Sequence, residues 1–449
     1  MKTFRIAAIA LAMGVLCASC TESDDGDVAG TVEDATDAPA TTTVPLDLVE
    51  LGLWDDGPCD ESRPPLVLGL TTAFESEAVA ALDQALALEA SAVAFNERGG
   101  ANGACIQVHT CDDGALFDQA IGCVGELDEA GVVATVNDQS TEGGAEVSQL
   151  FAEAGIPRVA SNVTNADWGD PNAYPLDASG TGVTFLMPQG LIDAGSSNVG
   201  IIRVNLAAAS ALTGLLGGLY DDRGATFVAD LPVASGTTDY SQFVLAAEDA
   251  GADSVALAIS QAQAIQVVRA AEQLSSDLRI AASLGSLSYE DVADLGAIAD
   301  QMVFVWPFPP ATFDLPVYEA LRADLAASGE DVLQPRRLRA SAMRSWIGLY
   351  ALLRMIRDDG MTDFTRPAMT ALLDEAVDVP MLGIFGDESW TPGANHPGLW
   401  QRAGTNRWAT WTWDPDAEFD GSPGGFVLAS EFSFDDVMCG SPFGAPEPC

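Results

Sequence analysis

The sequence predicts an α/β protein made of two Rossmann-like, doubly wound lobes with parallel sheets, joined by a multi-strand hinge. From Leu66 onward, short apolar runs alternate with amphipathic helical stretches. Strands buried on both faces between covering helices read this way. Two such series occur, broken by the irregular Trp168–Gly182 segment, and after Trp306 the chain returns to the first. Length alone allows about three domains, but no third boundary is marked.

The elements follow in order. Lys2 and Arg5 precede an apolar stretch, Ile6 to Leu16, too short to span a bilayer. Residues 1–19 therefore read as an export signal, and Ala18-Ser19-Cys20 resembles a bacterial lipobox with Cys17 where Leu is usual. Lipidation of Cys20 is the expectation, with simple cleavage and secretion as the alternative; acyl chains contribute about 0.8 kcal/mol per buried CH₂. Residues 20–64 are rich in Thr, Asp, Ala, Pro and Gly and are expected to form a disordered tether.

The first strand series is Leu66–Leu70, Cys105–His109, Val132–Val136 and Pro157–Ala160. The second is Val199–Val204, Ala225–Val233, Ser254–Ile259, Arg279–Ser283 and Met302–Trp306. Helices are expected over Glu75–Arg98, Ala120–Ala130, Ala145–Ala154, Ala262–Leu274 and Arg336–Arg357. The division that results places lobe 1 at 65–180 plus 306–375, lobe 2 at 181–305 plus 376–430, and a tail at 431–449. Crossings between lobes are expected near Pro175–Thr181 and Val305–Phe308, with a third beyond Leu373. Trp400, Trp408, Trp411 and Trp413 lie among turn residues and alternate partly at strand spacing. They suggest an appended hairpin, with sugar stacking as the sharper alternative.

With Cys17 removed and Cys20 reserved, six cysteines remain, an even number in an exported chain. Cys111 ends a strand and Cys123 lies in the next helix, Cys59 and Cys105 precede neighbouring strands, and Cys439 and Cys449 would close the tail. Disulfides are expected. A metal site is not, because paired CxxC spacing is absent and only His109 and His396 could assist.

The formal net charge is −47, and Lys2 is the only lysine. Such a charge excludes a general nucleic-acid or anionic-lipid binding face and suits solubility outside the cell. The Arg336-Arg337-Leu338-Arg339 cluster is read as surface ion pairing. No G-x-S-x-G elbow, P-loop or H-E-x-x-H motif occurs, so no catalytic residues and no cofactor are proposed. Asn137-Asp138-Gln139-Ser140-Thr141 and Ser161-Asn162-Val163-Thr164-Asn165 follow successive first-lobe strands. Doubly wound proteins bind ligands at such strand ends, although each Ser, Thr or Asn taken singly is also a helix cap.

The run Phe95-Asn96-Glu97-Arg98-Gly99-Gly100-Ala101-Asn102-Gly103, then Cys105–His109 and Asp112-Asp113, resembles the start of type I periplasmic substrate-binding proteins. The branched-chain amino acid binders match best, over roughly Leu66 to Phe313. In that family a Ser-rich loop and an Ala-Thr-Asn loop hold the ligand's carboxylate and ammonium. Ser140, Thr141, Val163, Thr164 and Asn165 match those positions, with Ser161 and Asn162 beside them. Thr238-Asp239-Tyr240-Ser241 and Gly251-Ala252-Asp253 resemble second-lobe features of the family.

Departures are equally specific. Ala207-Ala208-Ala209-Ser210 replaces a Tyr-Gly, Ser260-Gln261 replaces aromatic residues, and no acidic residue stands near Ser283-Leu284-Gly285. An unpaired buried ammonium is costly. Phe74, Ser260, Gln261, Ser283 and Trp306 therefore suggest a less charged or bulkier solute than an aliphatic amino acid. The resemblance implies a monomeric extracytoplasmic lipoprotein. It would capture a small polar solute, such as an amino acid, amide or related carboxylic compound, and deliver it to an ABC permease and its ATPase. A ligand-sensing receptor is the first alternative and a hydrolase the second.

Overall fold

A computed structural model describes residues 46–76, 80–139, 143–162, 170–206, 209–210, 213–220, 223–395, 402, 404–439 and 441. The signal segment, Cys20, Ser140, Thr141, Val163, Thr164, Asn165, His396, Trp400 and Cys449 lie outside these residues.

Lobe 1 opens with β1 (Leu66–Thr72), α1 (Leu82–Glu97), β2 (Ile106–Asp112), α2 (Phe117–Glu129), β3 (Ala134–Val136), α3 (Gly144–Ala154), β4 (Arg158–Val159) and β5 (Ala173–Tyr174). Its sheet runs β2-β1-β3-β4-β5, and every pairing is parallel. Lobe 2 contains α4 (Ser179–Asp193), β6 (Asn198–Val204), α5 (Leu216–Tyr220), β7 (Thr226–Val233), α6 (Ser241–Asp249), β8 (Ser254–Ala258), α7 (Gln261–Leu274), β9 (Arg279–Ser283), α8 (Tyr289–Leu295) and β10 (Met302–Trp306). The chain then returns to lobe 1 through α9 (Pro316–Ala326), α10 (Ala340–Asp359) and α11 (Arg366–Glu375). It ends in lobe 2 with β11 (Arg407–Phe419), β12 (Ser422–Ser433) and α12 (Phe434–Met438). The second sheet runs β12-β11-β10-β9-β8-β6-β7, with β11 antiparallel to both β10 and β12. The two parallel-sheet lobes are those the alternating pattern predicts.

The helix-to-strand junction after α1 is built from side-chain and backbone constraints together. Asn96 clamps the start of β2, donating to Ile106 O at 3.0 Å and accepting from Ile106 N at 2.7 Å. Gly99 and Gly100 have φ of 102° and 54°, a region closed to most side chains. A Cβ on Gly100 would also run into the Ala104 carbonyl. Helix α1 buries its apolar face against α10, where Phe95 meets Trp346 at 5.5 Å between ring centroids. The helix begins at Leu82, not Glu75, because the chain loops first and Ala81 N donates to Ala73 O at 2.9 Å.

The expected tether ends earlier than its composition suggests. Leu53 and Trp54 are buried, and Trp54 packs on Phe95 and Tyr350 at 5.5 and 6.1 Å. Cys59 is bonded to Cys105, which fixes this segment beside the first sheet. Local composition missed it because the apolar surface that holds it belongs to α1 and α10. Cys111 is bonded to Cys123, and Cys439 is also disulfide-bonded.

The C-terminal strands form the expected hairpin, with Trp408, Trp411 and Trp413 buried in it. Trp408 faces α4, where a Cβ on Gly182 would lie 2.6 Å from its ring. Trp411 packs on Phe313 at 5.3 Å, and Trp413 on Tyr289 at 5.2 Å. Both faces of β11 are therefore covered, which leaves these rings as core and not as a sugar platform.

Candidate functional site

Three segments cross between the lobes and meet at one buried ion pair. Asp177 lies on the first crossing, between β5 and α4, and Trp306, the last residue of β10, and Phe308 just after it lie on the second. The third passes Gly404 and Thr405, and Thr405 donates its N–H to Leu176 O at 2.7 Å. A Cβ on Gly404 would lie 2.6 Å from Asp177 Cα, so this crossing needs its glycine. Arg344 on α10 reaches all of this. Its Nη1 and Nη2 donate to the two Asp177 carboxylate oxygens at 2.6 and 3.1 Å, and its Cζ lies 5.3 Å from the Trp306 ring centre and 5.8 Å from that of Phe308.

Next to this knot, between the lobes, is a cavity of about 240 Å³. Lobe 1 contributes Gln84, Gln139, Asn162, Arg339 and Ser341. Lobe 2 contributes Gly180, Val183 and Thr184 on α4, the ends of β6 and β8, and the loops at Ser260-Gln261 and Ser283–Ser286; Trp306 on the second crossing completes it. The volume is below the roughly 300–1,000 Å³ of drug-sized pockets, so the cavity suits a small solute. A second cavity, of about 370 Å³, adjoins it at Val204 and is lined by Gly114, Asn205 and Gln263 among others.

The polar lining divides into groups already engaged and groups that are not. Asn162 accepts from Gly180 N at 3.0 Å and donates to Gln139 Oε1 at 2.8 Å, which ties the end of β4 to the start of α4. Ser283 Oγ accepts from Gly285 N at 3.0 Å. Ser260 is the N-cap of α7, and its N–H donates to Gln263 Oε1 at 3.3 Å in a capping box. Gln261 donates to Asp291 at 2.7 Å. By contrast, Gln84 Oε1 and Trp306 Nε1 are buried without a hydrogen-bond partner among the described residues, in residues only 4% exposed. Core groups such as Trp408 Nε1 and Trp411 Nε1 share this state, so it does not by itself mark a ligand contact.

Charge is sparse here. Arg339 is the one charged lining residue, and no acidic side chain lines the cavity among the described residues. Arg339 is held from behind by Asp83, with Nε to Oδ2 at 2.8 Å and Nη2 to Oδ1 at 2.5 Å. No cluster of three or more His, Cys, Asp or Glu able to hold a metal occurs among the described residues.

Of the residues the sequence put forward, Asn162, Ser260, Gln261, Ser283 and Trp306 come together around this cavity. Ser161 is buried at the end of β4 and Phe74 is half-buried after β1; neither is part of the lining. Asn137 and Asp138 serve the framework. Asn137 donates to Ser341 O and Ser345 Oγ, while Asp138 accepts from buried Arg158 at 2.7 Å. Sequence reasoning missed Gln84 and Arg339. Arg337 fits the surface ion-pair reading, bonded to Glu290 and Asp331. Arg339, two residues on, turns inward instead. A polar Asp83-Gln84 pair on the otherwise apolar face of α1 was the available signal.

The profile of a family described as periplasmic binding protein matches residues 66–401. No curated protein sequence matches the chain. Among solved structures, an R. palustris ABC-transporter solute-binding protein in complex with 4-hydroxybenzoate superposes with a TM-score of 0.67 at 15% identity, covering 82% of this chain and 97% of that one. A fatty acid ABC transporter substrate-binding protein from Thermomonospora curvata gives 0.67 at 17% identity, over 84% and 94%. A leucine-, isoleucine-, valine-, threonine- and alanine-binding protein from Brucella ovis gives 0.64 at 16% identity, over 86% and 98%. These likenesses establish the shared fold, and the profile match over most of the chain shows that this protein is a member of the periplasmic binding protein family.

Proposed function

We propose that this protein is an extracytoplasmic solute receptor of an ABC-type importer. It would capture a small polar solute between its lobes and hand it to a membrane permease. The observation that carries the reading is the hinge-side cavity, lined by polar side chains from both lobes. A ligand bonded to groups on both lobes binds the closed arrangement better than an open one, and so shifts the population toward closure. The absence of acidic side chains from the described lining favours amide and carboxylic solutes over a zwitterionic amino acid, whose ammonium would be left unpaired. Relatives of the same fold described with 4-hydroxybenzoate or as fatty acid receptors make carboxylates a reasonable first class to test.

The direct test is a thermal-shift screen of the full chain against amino acids, amides, ureas and aromatic acids. A solute at 100 times its Kd stabilises the fold by about 2.7 kcal/mol. A shift with at least one class is expected, and no shift across the panel would sink the receptor reading. Anchoring through Cys20 is part of the same proposal. Mass spectrometry of the mature N-terminus should find Cys20 acylated, and an unmodified N-terminus would replace the anchor with release.

A further inference from the structure

We infer that Arg339 is the anchor for a carboxylate on the solute and that Asp83 is the residue that positions it. The inference rests on the receptor reading above and adds the charge and attachment point of the ligand. Three observations carry it.

Arg339 is the only charged side chain of the described lining, and its side chain is just 13% exposed. Its contacts engage Nε and Nη2 of the guanidinium. Nε and Nη2 donate to Asp83, Nη2 also donates to Ala80 O at 2.9 Å, and Nη1 has no partner among the described residues. A planar guanidinium held through Nε and Nη2 keeps a fixed orientation, so the N–H groups on Nη1 meet a carboxylate oxygen with little ordering cost. Gln84, next to Asp83 on α1, lines the cavity too, and so does Trp306 on the second crossing. The described lining combines this guanidinium with amide and hydroxyl side chains and includes no carboxylate. It complements an anionic head carrying a further polar group and discriminates against a cationic one.

Asp83 and Arg339 are 256 residues apart in sequence, on α1 and immediately before α10. The next residues after Arg339 are fastened to lobe 2: Ala340 N donates to Leu284 O at 3.1 Å, and Ser341 Oγ donates to Gly285 O at 2.7 Å. A solute on Arg339 therefore also loads the contact between α10 and the β9–α8 loop.

The test uses matched acid and amide pairs on the full chain: benzoate with benzamide, 4-hydroxybenzoate with its amide, and butyrate with butyramide, with leucine as the zwitterion. Binding is read by intrinsic tryptophan fluorescence and calorimetry. In the unaltered protein at least one acid should bind about tenfold or more tighter than its amide, the lower end expected for a hydrogen bond to a charged group. Arg339→Gln should weaken that acid by roughly 10- to 100-fold while leaving the amide within about threefold. Arg339→Lys should recover part of the loss, Asp83→Asn should lose part of the affinity, and Arg337→Gln should behave as the unaltered protein.

Acid binding unchanged in Arg339→Gln, or amides binding as tightly as acids to the unaltered protein, overturns the assignment and leaves the receptor reading standing. Failure of every compound to bind overturns both. The acid–amide comparison in the unaltered protein needs no variant, so a poorly folded substitution does not remove the test.

Discussion

Replacing Arg344 with Met should be among the most damaging single changes available in this fold. Arg344 and Asp177 have side chains 1% and 0% exposed, and two hydrogen bonds join them. Removing the guanidinium leaves a carboxylate buried at the point where the crossings meet, and breaking a pair of this kind costs about 3–5 kcal/mol. Domains typically have about 5–15 kcal/mol of stability in total, so the loss is a large fraction of it. The ring contacts to Trp306 and Phe308 go as well, although they are not independent of the pair. Urea unfolding followed by circular dichroism measures the effect. The double variant Arg344→Met with Asp177→Leu should recover most of it, because apolar replacement of a whole buried pair is often close to neutral. A coupling energy of at least about 2 kcal/mol in the cycle is expected. A loss below about 1 kcal/mol for Arg344→Met, or strict additivity in the cycle, would refute the assignment of this pair as the electrostatic knot of the hinge.

Three other outcomes follow from the same coordinates. Gly285→Ala puts a Cβ 2.5 Å from Trp306 Cη2; overpacking of about 1–3 kcal/mol should displace the indole, and ligand affinity measured by calorimetry should fall more than the urea midpoint does. Loss of the Cys111–Cys123 bond, with a sequence separation of 12, should cost about 3 kcal/mol on chain-entropy grounds, read as a lower urea midpoint in the double Ser variant. Burial raises the Asp324 carboxyl above its ordinary pKa, against the opposing pull of Arg98 and the Trp346 N–H. Its protonated form is thus favoured in the folded state, so its contribution is greatest below pH 3.8 and is lost as pH rises through the raised value. Asp324→Asn should flatten that part of the stability–pH curve, and an unchanged slope would count against it.

What the sequence disclosed depended on how local the determining contacts are. The parallel strands were legible because each is a short apolar run of its own, and Arg279–Ser283 and Met302–Trp306 match their predicted bounds. Helix α4 was read as irregular chain up to Gly182. It is buried along almost its whole described length and carries Pro188, so it lacks the one-sided stripe that marks a surface helix. The hairpin that carries Trp408, Trp411 and Trp413 was legible from their partial strand spacing, although both faces of β11 are covered. In the site, Ser260 and Ser283 could be placed because they sit at the ends of legible strands. Arg339 could not. Its role depends on Asp83, 256 residues away in the chain, and its basic neighbour Arg337 does pair at the surface.

The central claim is that solute binds between the lobes beside the hinge, and a crystal structure with a solute that raises the thermal midpoint tests it most directly. The account predicts ligand density in the cavity bounded by Gln84, Arg339, Ser260 and Trp306, with a polar ligand atom within hydrogen-bond distance of Arg339 Nη1. Density confined to the adjoining cavity at Gly114 and Asn205, or to the outer surface of either lobe, would contradict it.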